Sequence, residues 1–146
     1  MSKVSLINVL IGWIGLVISA FAGVFIASDL STEFINHSQM SETWKSVIIQ
    51  SSHGHSNMFS MIHILFGLSL SYSVYTNRTK IIQTILLIMG LVAMGPLMYL
   101  RSNIKPTPEL GLVEAAIGIC LSLSLLSMCS HCVGVASKLF KRPYSN

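Results

Sequence analysis

The chain has 146 residues, of which 52% are apolar and 10% charged, with a formal net charge of +4 at pH 7. A soluble domain usually carries about 25% charged residues, so this composition cannot cover a water-facing surface, and the length leaves no room for a soluble catalytic domain beside a membrane part. The basic residues stand at the ends of apolar segments and not on one face, which argues against a nucleic-acid surface and fits membrane topology.

Four apolar stretches follow in chain order: 4–27, 52–75, 81–100 and 110–133. Each has roughly the 20 residues that carry a helix across a hydrocarbon core about 30 Å thick. Isolated strands would leave backbone groups unpaired in lipid, so helices are the expected form. The sequence thus predicts an all-α, integral membrane four-helix bundle with up-down-up-down topology, a single transmembrane domain over 1–146. The small-residue pattern Ala20-Phe21-Ala22 resembles a signal cleavage site. The apolar run continues to Ala27, however, so the first span reads as a retained anchor. Along it Gly15, Ser19, Gly23 and Ala27 form a smooth stripe suited to close helix approach.

The outer loop 28–51 is polar, with a short interfacial helix expected at 42–49 and Trp44 placed as an interfacial anchor. In the third span Gly95-Pro96 predicts a kink, because proline removes a backbone donor. The fourth offers small residues at Gly111, Ala115, Gly118 and Ser122. The tail 134–146 is basic. Lys3, Arg78, Lys80, Lys138, Lys141 and Arg142 fall on one side with no acid, whereas Lys45, Arg101 and Lys105 share theirs with Asp29, Glu33, Glu42 and Glu109. The positive-inside rule then puts both termini in the cytoplasm; the expected location is a bacterial inner membrane.

The concentrated chemical signal is the second span, SSHGHSNMFSMIHILFGLSLSYS, with His53, His55 and His63. Ionisable side chains inside lipid are costly and mark a partner, an ion or a cofactor. If the helix enters near His53, His63 lies about 15 Å deeper, near mid-membrane, and at 100° per residue it points between the other two. An outer layer then gathers His53, His55, Met58, Met98, Arg101 and Glu114, and a middle layer His63, Met61, Met94 and Cys120. His63 is either an interior histidine bonded to a neighbouring helix or an axial haem ligand or proton-relay group. Glu114 pairs with Arg101 or a histidine, or serves as a metal ligand or proton acceptor. Imidazoles at His53 and His55, with the thioether of Met58, suit copper, and His37 with Met40 repeats the pairing in the loop. Cys129-Ser-His-Cys132 has redox-pair spacing, with no second such pair to complete a four-thiolate zinc site. Phosphate-loop, dinucleotide-binding and metalloprotease signatures are absent.

The stretch HGHSNMFSMIHILFGLSL resembles the H-x-H-containing helices of small bacterial membrane proteins in the wider haem–copper-oxidase-like and NnrS-like group. The resemblance covers one helix and implies that His53, His55 and His63 are ligands. That group has more helices and further histidines on them. Here His63 with Met94, or a histidine from a second subunit, would complete a haem site.

The leading expectation is a non-enzymatic subunit of, or accessory to, a larger membrane redox or respiratory complex. It would bind haem b or a metal in its outer half through His55, His63 and Met94, with Arg101 against an anionic group and Glu114 behind the ligands. Alternatives are a structural accessory subunit without cofactor and an outer-face copper protein using His53, His55 and Met58. The partners expected are the lipid bilayer and other membrane subunits or a second copy, with no nucleic acid.

Overall fold

The computed structural model describes residues 1–35, 43–107 and 109–140. Among these the chain is all helical, in four helices: α1 Lys3–Ile35, α2 Thr43–Ser69, α3 Asn77–Ser102 and α4 Leu112–Phe140. A 3-10 turn, Leu70–Tyr72, closes α2. Thr76 caps α3, its hydroxyl accepting from the Thr79 N–H at 3.4 Å. Within α3 the segment Ala93–Leu97 is a π turn holding Pro96. The kink expected from Gly95-Pro96 is thus met by a wide turn, in keeping with a residue that has no N–H to donate.

Among the described residues, three helices are long and apolar enough to cross a membrane: Lys3–Ser28, Asn77–Ser102 and Leu112–Phe140, with mean hydropathies of 2.5, 2.1 and 2.0. α2 has 27 residues, but its polar run Ser51-Ser52-His53-Gly54-His55-Ser56-Asn57 keeps it below that mark. Its start also differs from the sequence expectation. α2 begins at Thr43, so most of the expected interfacial helix is its first two turns, and Trp44, not His53, lies at its entrance. His37, Met40 and Glu42 of the outer loop lie outside the described residues, as does the tail beyond residue 140.

Burial runs opposite to that of a water-soluble protein. The interior holds Ser5, Asn8, Ser60, His63, Gln83, Thr84, Arg101, Ser124, Ser127 and His131, while large apolar side chains such as Leu10, Ile18, Phe25, Leu65, Ile85, Ile119 and Leu126 face outward. The spacing explains it. On α1 the covered positions Ser5, Asn8, Gly12 and Ser19 fall on one helical stripe, as do Ser124, Ser127, His131 and Gly134 on α4. Where helices have no water to escape, small residues and hydrogen bonds join them. Together with the three apolar spans, this inverted distribution marks a membrane protein.

α1 packs along α2, α4 packs along α3, and α2 meets the π turn and final stretch of α3. The first pair is close enough for backbone contact. A Cβ on Gly12 would meet the Ser60 carbonyl and the Ile64 nitrogen, and one on Gly67 the Ser5 carbonyl. The expected smooth stripe of α1 therefore serves α2 of the same chain, at Gly15 against Ser60 and at Ser19 and Gly23 against His53. Neighbouring helices run antiparallel: Ser19 meets His53, Ser52 meets Met94, and Gln83 meets Ser127. A small apolar cluster of Phe66, Leu70 and Leu87, flanked by Val4, Ile62 and Met128, ties α2, α3 and α4 together.

Candidate functional site: two polar clusters and an apolar groove

His63 is fully buried, and its partner is Asn8 of α1. Both protons of the Asn8 amide are committed, one to the Val4 carbonyl at 2.9 Å and one to Thr84 Oγ1 at 2.7 Å. Thr84 passes its own proton to the Lys80 carbonyl at 2.9 Å. Asn8 Oδ1 must then be the acceptor, and His63 Nδ1, 3.1 Å away, the donor, an assignment made from the bonding pattern. That leaves Nε2 as a bare acceptor in the interior with no hydrogen-bond partner, with the Leu87 carbonyl beside the ring. One amide thus joins α1, α2 and α3.

Depth follows from these contacts. His63 is level with Asn8 and Thr84, which stand about a turn inside Lys3–Val4 and Lys80. It therefore lies toward the end of the bundle that bears Lys3 and Lys80, not at its middle. Met94 is level with Ser52, whose hydroxyl donates to the Met94 carbonyl. Ten residues of α3 separate Met94 from Thr84, about 15 Å at the helical rise. The structure does not bring His63 and Met94 into one layer; the expected layer assumed that α2 began near His53.

His53 is half-buried against α1. Asn57 Nδ2 donates to its Nε2 at 3.3 Å, Nδ1–H donates to Ser19 Oγ at 3.2 Å, and Ser19 Oγ–H donates to the His53 carbonyl at 3.4 Å. His55 and Met58 lie on the opposite, exposed face of α2, in one outward stripe with Met61, Leu65 and Leu68. The His55 ring bonds back to its own helix, Nδ1 to the Ser51 carbonyl at 2.8 Å. Histidines two residues apart on a helix point about 200° apart, so His53, His55 and Met58 do not converge. Among the described residues no group of three or more histidine, cysteine or carboxylate side chains stands close enough to hold one ion.

Arg101 and Glu114 do meet, as the shared layer anticipated. Arg101 Nε forms an ion pair with Glu114 Oε1, with side-chain exposures of 7% and 25%. Arg101 Nη1 also donates to the Ile104 carbonyl at 2.7 Å, and its guanidinium lies 4.5 Å from the centroid of the Trp44 ring. Trp44 Nε1 donates to the same Ile104 carbonyl at 3.1 Å. This clamp fastens the start of α2, the end of α3 and the start of α4. His55, His63 and Met94 are elsewhere.

Toward the other end, Ser69 Oγ meets His131 Nε2 at 2.8 Å, and the His131 ring lies 4.3 Å from that of Phe66. Gln83 Nε2 donates to Ser130 Oγ at 2.8 Å, and Ser127 Oγ donates to the Gln83 carbonyl at 2.6 Å. Cys129 and Cys132 are free and exposed.

One cavity lies apart from the Asn8–His63 and Arg101–Glu114 clusters. It is a half-open groove of about 800 Å³ between α1, α2 and α3. One wall is Ile11, Ile14, Ile18, Ala22 and Phe25 of α1; another is Leu91, Gly95, Pro96 and Tyr99 of α3. Its floor is α2 from Lys45 to Ser60.

No family model, curated protein or solved structure matches this chain. Asn8, Gln83 and the groove are the features that sequence reasoning passed over. Asn8 had a signal: an amide in the apolar run VSLINVLIG, on a stripe with Ser5 and Gly12, belongs at a helix interface. The groove had none, because it depends on how far α1 stands from α3.

Proposed function

We propose that the chain is a non-enzymatic accessory protein of a bacterial inner membrane. Its four helices run up-down-up-down, with both termini in the cytoplasm and α2 as the fourth, sheltered span. It acts by association, alongside other membrane subunits or a second copy of itself. One observation carries this reading: the buried imidazole that singled out α2 gives its Nδ1–H to Asn8, in a clamp of three helices. His53 is likewise spent on Ser19 and Asn57, and Arg101 on Glu114, Trp44 and Ile104. Side chains consumed in this way support scaffolding over ligation.

The cofactor reading keeps one observation in its favour, the unbonded Nε2 of His63. With Nδ1 donating, Nε2 holds the lone pair a haem iron or a copper ion would take. The absorption spectrum and elemental analysis of the purified protein separate the readings. The scaffold reading expects a colourless, metal-free protein running as a larger assembly on native gels after mild solubilisation. A Soret band weakened by His63→Ala overturns it in favour of haem b. Stoichiometric copper lost on replacing His53 and His55 together overturns it in favour of the copper reading.

A further inference from the structure

The groove between α1, α2 and α3 has no part in the clamp that holds the helices. Its volume of about 800 Å³ sits within the roughly 300–1,000 Å³ typical of pockets for small ligands. It runs along the bundle from Lys45 to Ser60 on α2, fifteen residues, or about 22 Å at the helical rise. That is a lipid's reach from headgroup level past the middle of a core about 30 Å thick.

Its chemistry is graded along that length. At the mouth stand Lys45, Ser46 and Gln50, with Phe25 of α1 near their level; deeper lie Ala22, Ile18, Ile14 and Leu91. Most of the deep polar groups are already used within the protein: His53 with Ser19 and Asn57, Ser52 with the Met94 carbonyl, Ser60 with the Ser56 carbonyl at 2.7 Å, which leaves the Ser56 hydroxyl. None of the buried polar atoms left without partners, on His63, Gln83 and His131, lines the groove. The depth therefore offers an occupant apolar contact, broken by the single hydroxyl of Ser56. The mouth offers a cation, and a lysine ammonium has three donors, so a phosphate can join whatever else it holds. Gly95 keeps the α3 wall recessed: a Cβ there would meet only Ser56 Oγ, at 3.9 Å.

We propose that this groove is a binding site for one phospholipid, its phosphate at Lys45 and Ser46 and one acyl chain laid along α2 between Ile18 of α1 and Gly95 of α3. It is a defined site, distinct from the general lipid coat on the exposed faces of α1 and α4.

The test is lipid retention. The protein is purified through exhaustive detergent exchange, extracted with organic solvent, and the extract is quantified by mass spectrometry for phospholipids and isoprenoid quinones. The expected result is about one phospholipid per chain, reduced at least fivefold in Gly95→Leu and in Ala22→Phe, each of which fills the groove. Leu65→Phe, on the outward face of α2, retains lipid as the wild type does and keeps the helical circular dichroism that shows all three variants folded. Lys45→Glu lowers retention and shifts what remains away from anionic headgroups. Retention of no lipid by the wild type, retention unchanged in both filled variants, or recovery of a quinone in place of phospholipid overturns the proposal.

Discussion

Asn8 holds three helices with one amide, and the bonds it makes set the state of His63. Truncating it leaves the His63 Nδ1–H and the Thr84 hydroxyl facing each other across a gap. Asn8→Ala is expected to cost about 1–3 kcal/mol, the penalty of orphaning buried polar groups. A double-mutant cycle with His63→Ala in denaturant-titrated micelles should return a coupling of about 0.6–1.7 kcal/mol, the range of interhelical hydrogen bonds in membranes. No coupling would mean that the two side chains do not bond in the membrane. At this scale the sequence was legible in part. It singled out His63 as the residue whose cost in lipid needed an explanation, and an interior bond to a neighbouring helix was among the readings. Local spacing places Asn8 at a helix interface but does not pair it with His63, because a partner 55 residues away is fixed by how α1 rolls against α2.

The helices themselves were legible from hydropathy, the ends less so. α2 starts eight residues before the polar run SSHGHSN, which mimics a helix entrance because interior faces in this protein are polar. A rule that equates polar with interfacial therefore misplaces the helix, and with it the depth of every histidine. Pro96 was visible, but its remedy was not. The wide turn Ala93–Leu97 leaves the Met94 carbonyl to Ser52 of the adjoining helix. Ser52→Ala is accordingly expected to lower stability by about 0.6–1.7 kcal/mol and to speed amide exchange around residues 93–98. Unchanged exchange there would show that the turn stands without help from α2.

Across the whole molecule, the two ends are fastened differently. One is held by the polar seam of Ser69, Gln83, Ser127 and His131, the other by the ion-paired clamp of Arg101, Glu114 and Trp44. Removing Arg101 alone strands a carboxylate that is only 25% exposed. Arg101→Leu should cost about 1–3 kcal/mol, whereas Arg101→Leu with Glu114→Leu should recover most of that loss, since no unpaired charge remains. Thermal melts of both variants in micelles check the order; a double variant weaker than the single would show that the pair itself, and not the avoidance of a stranded charge, sustains this end. The sequence anticipated that Arg101 and Glu114 share a layer, from depth counting at short helix ends, where errors have little length over which to grow. The polar face of α2 also bears on how the protein is made. A segment with seven consecutive small or polar residues, two of them histidines, partitions poorly into bilayer when it leaves the insertion machinery alone. On the topology proposed above, its insertion is therefore conditional on α1 already waiting beside it. A reporter fused after residue 72 should switch sides when the α1 stripe is roughened by Gly12→Leu, while the same reporter on a chain with intact α1 stays in the cytoplasm.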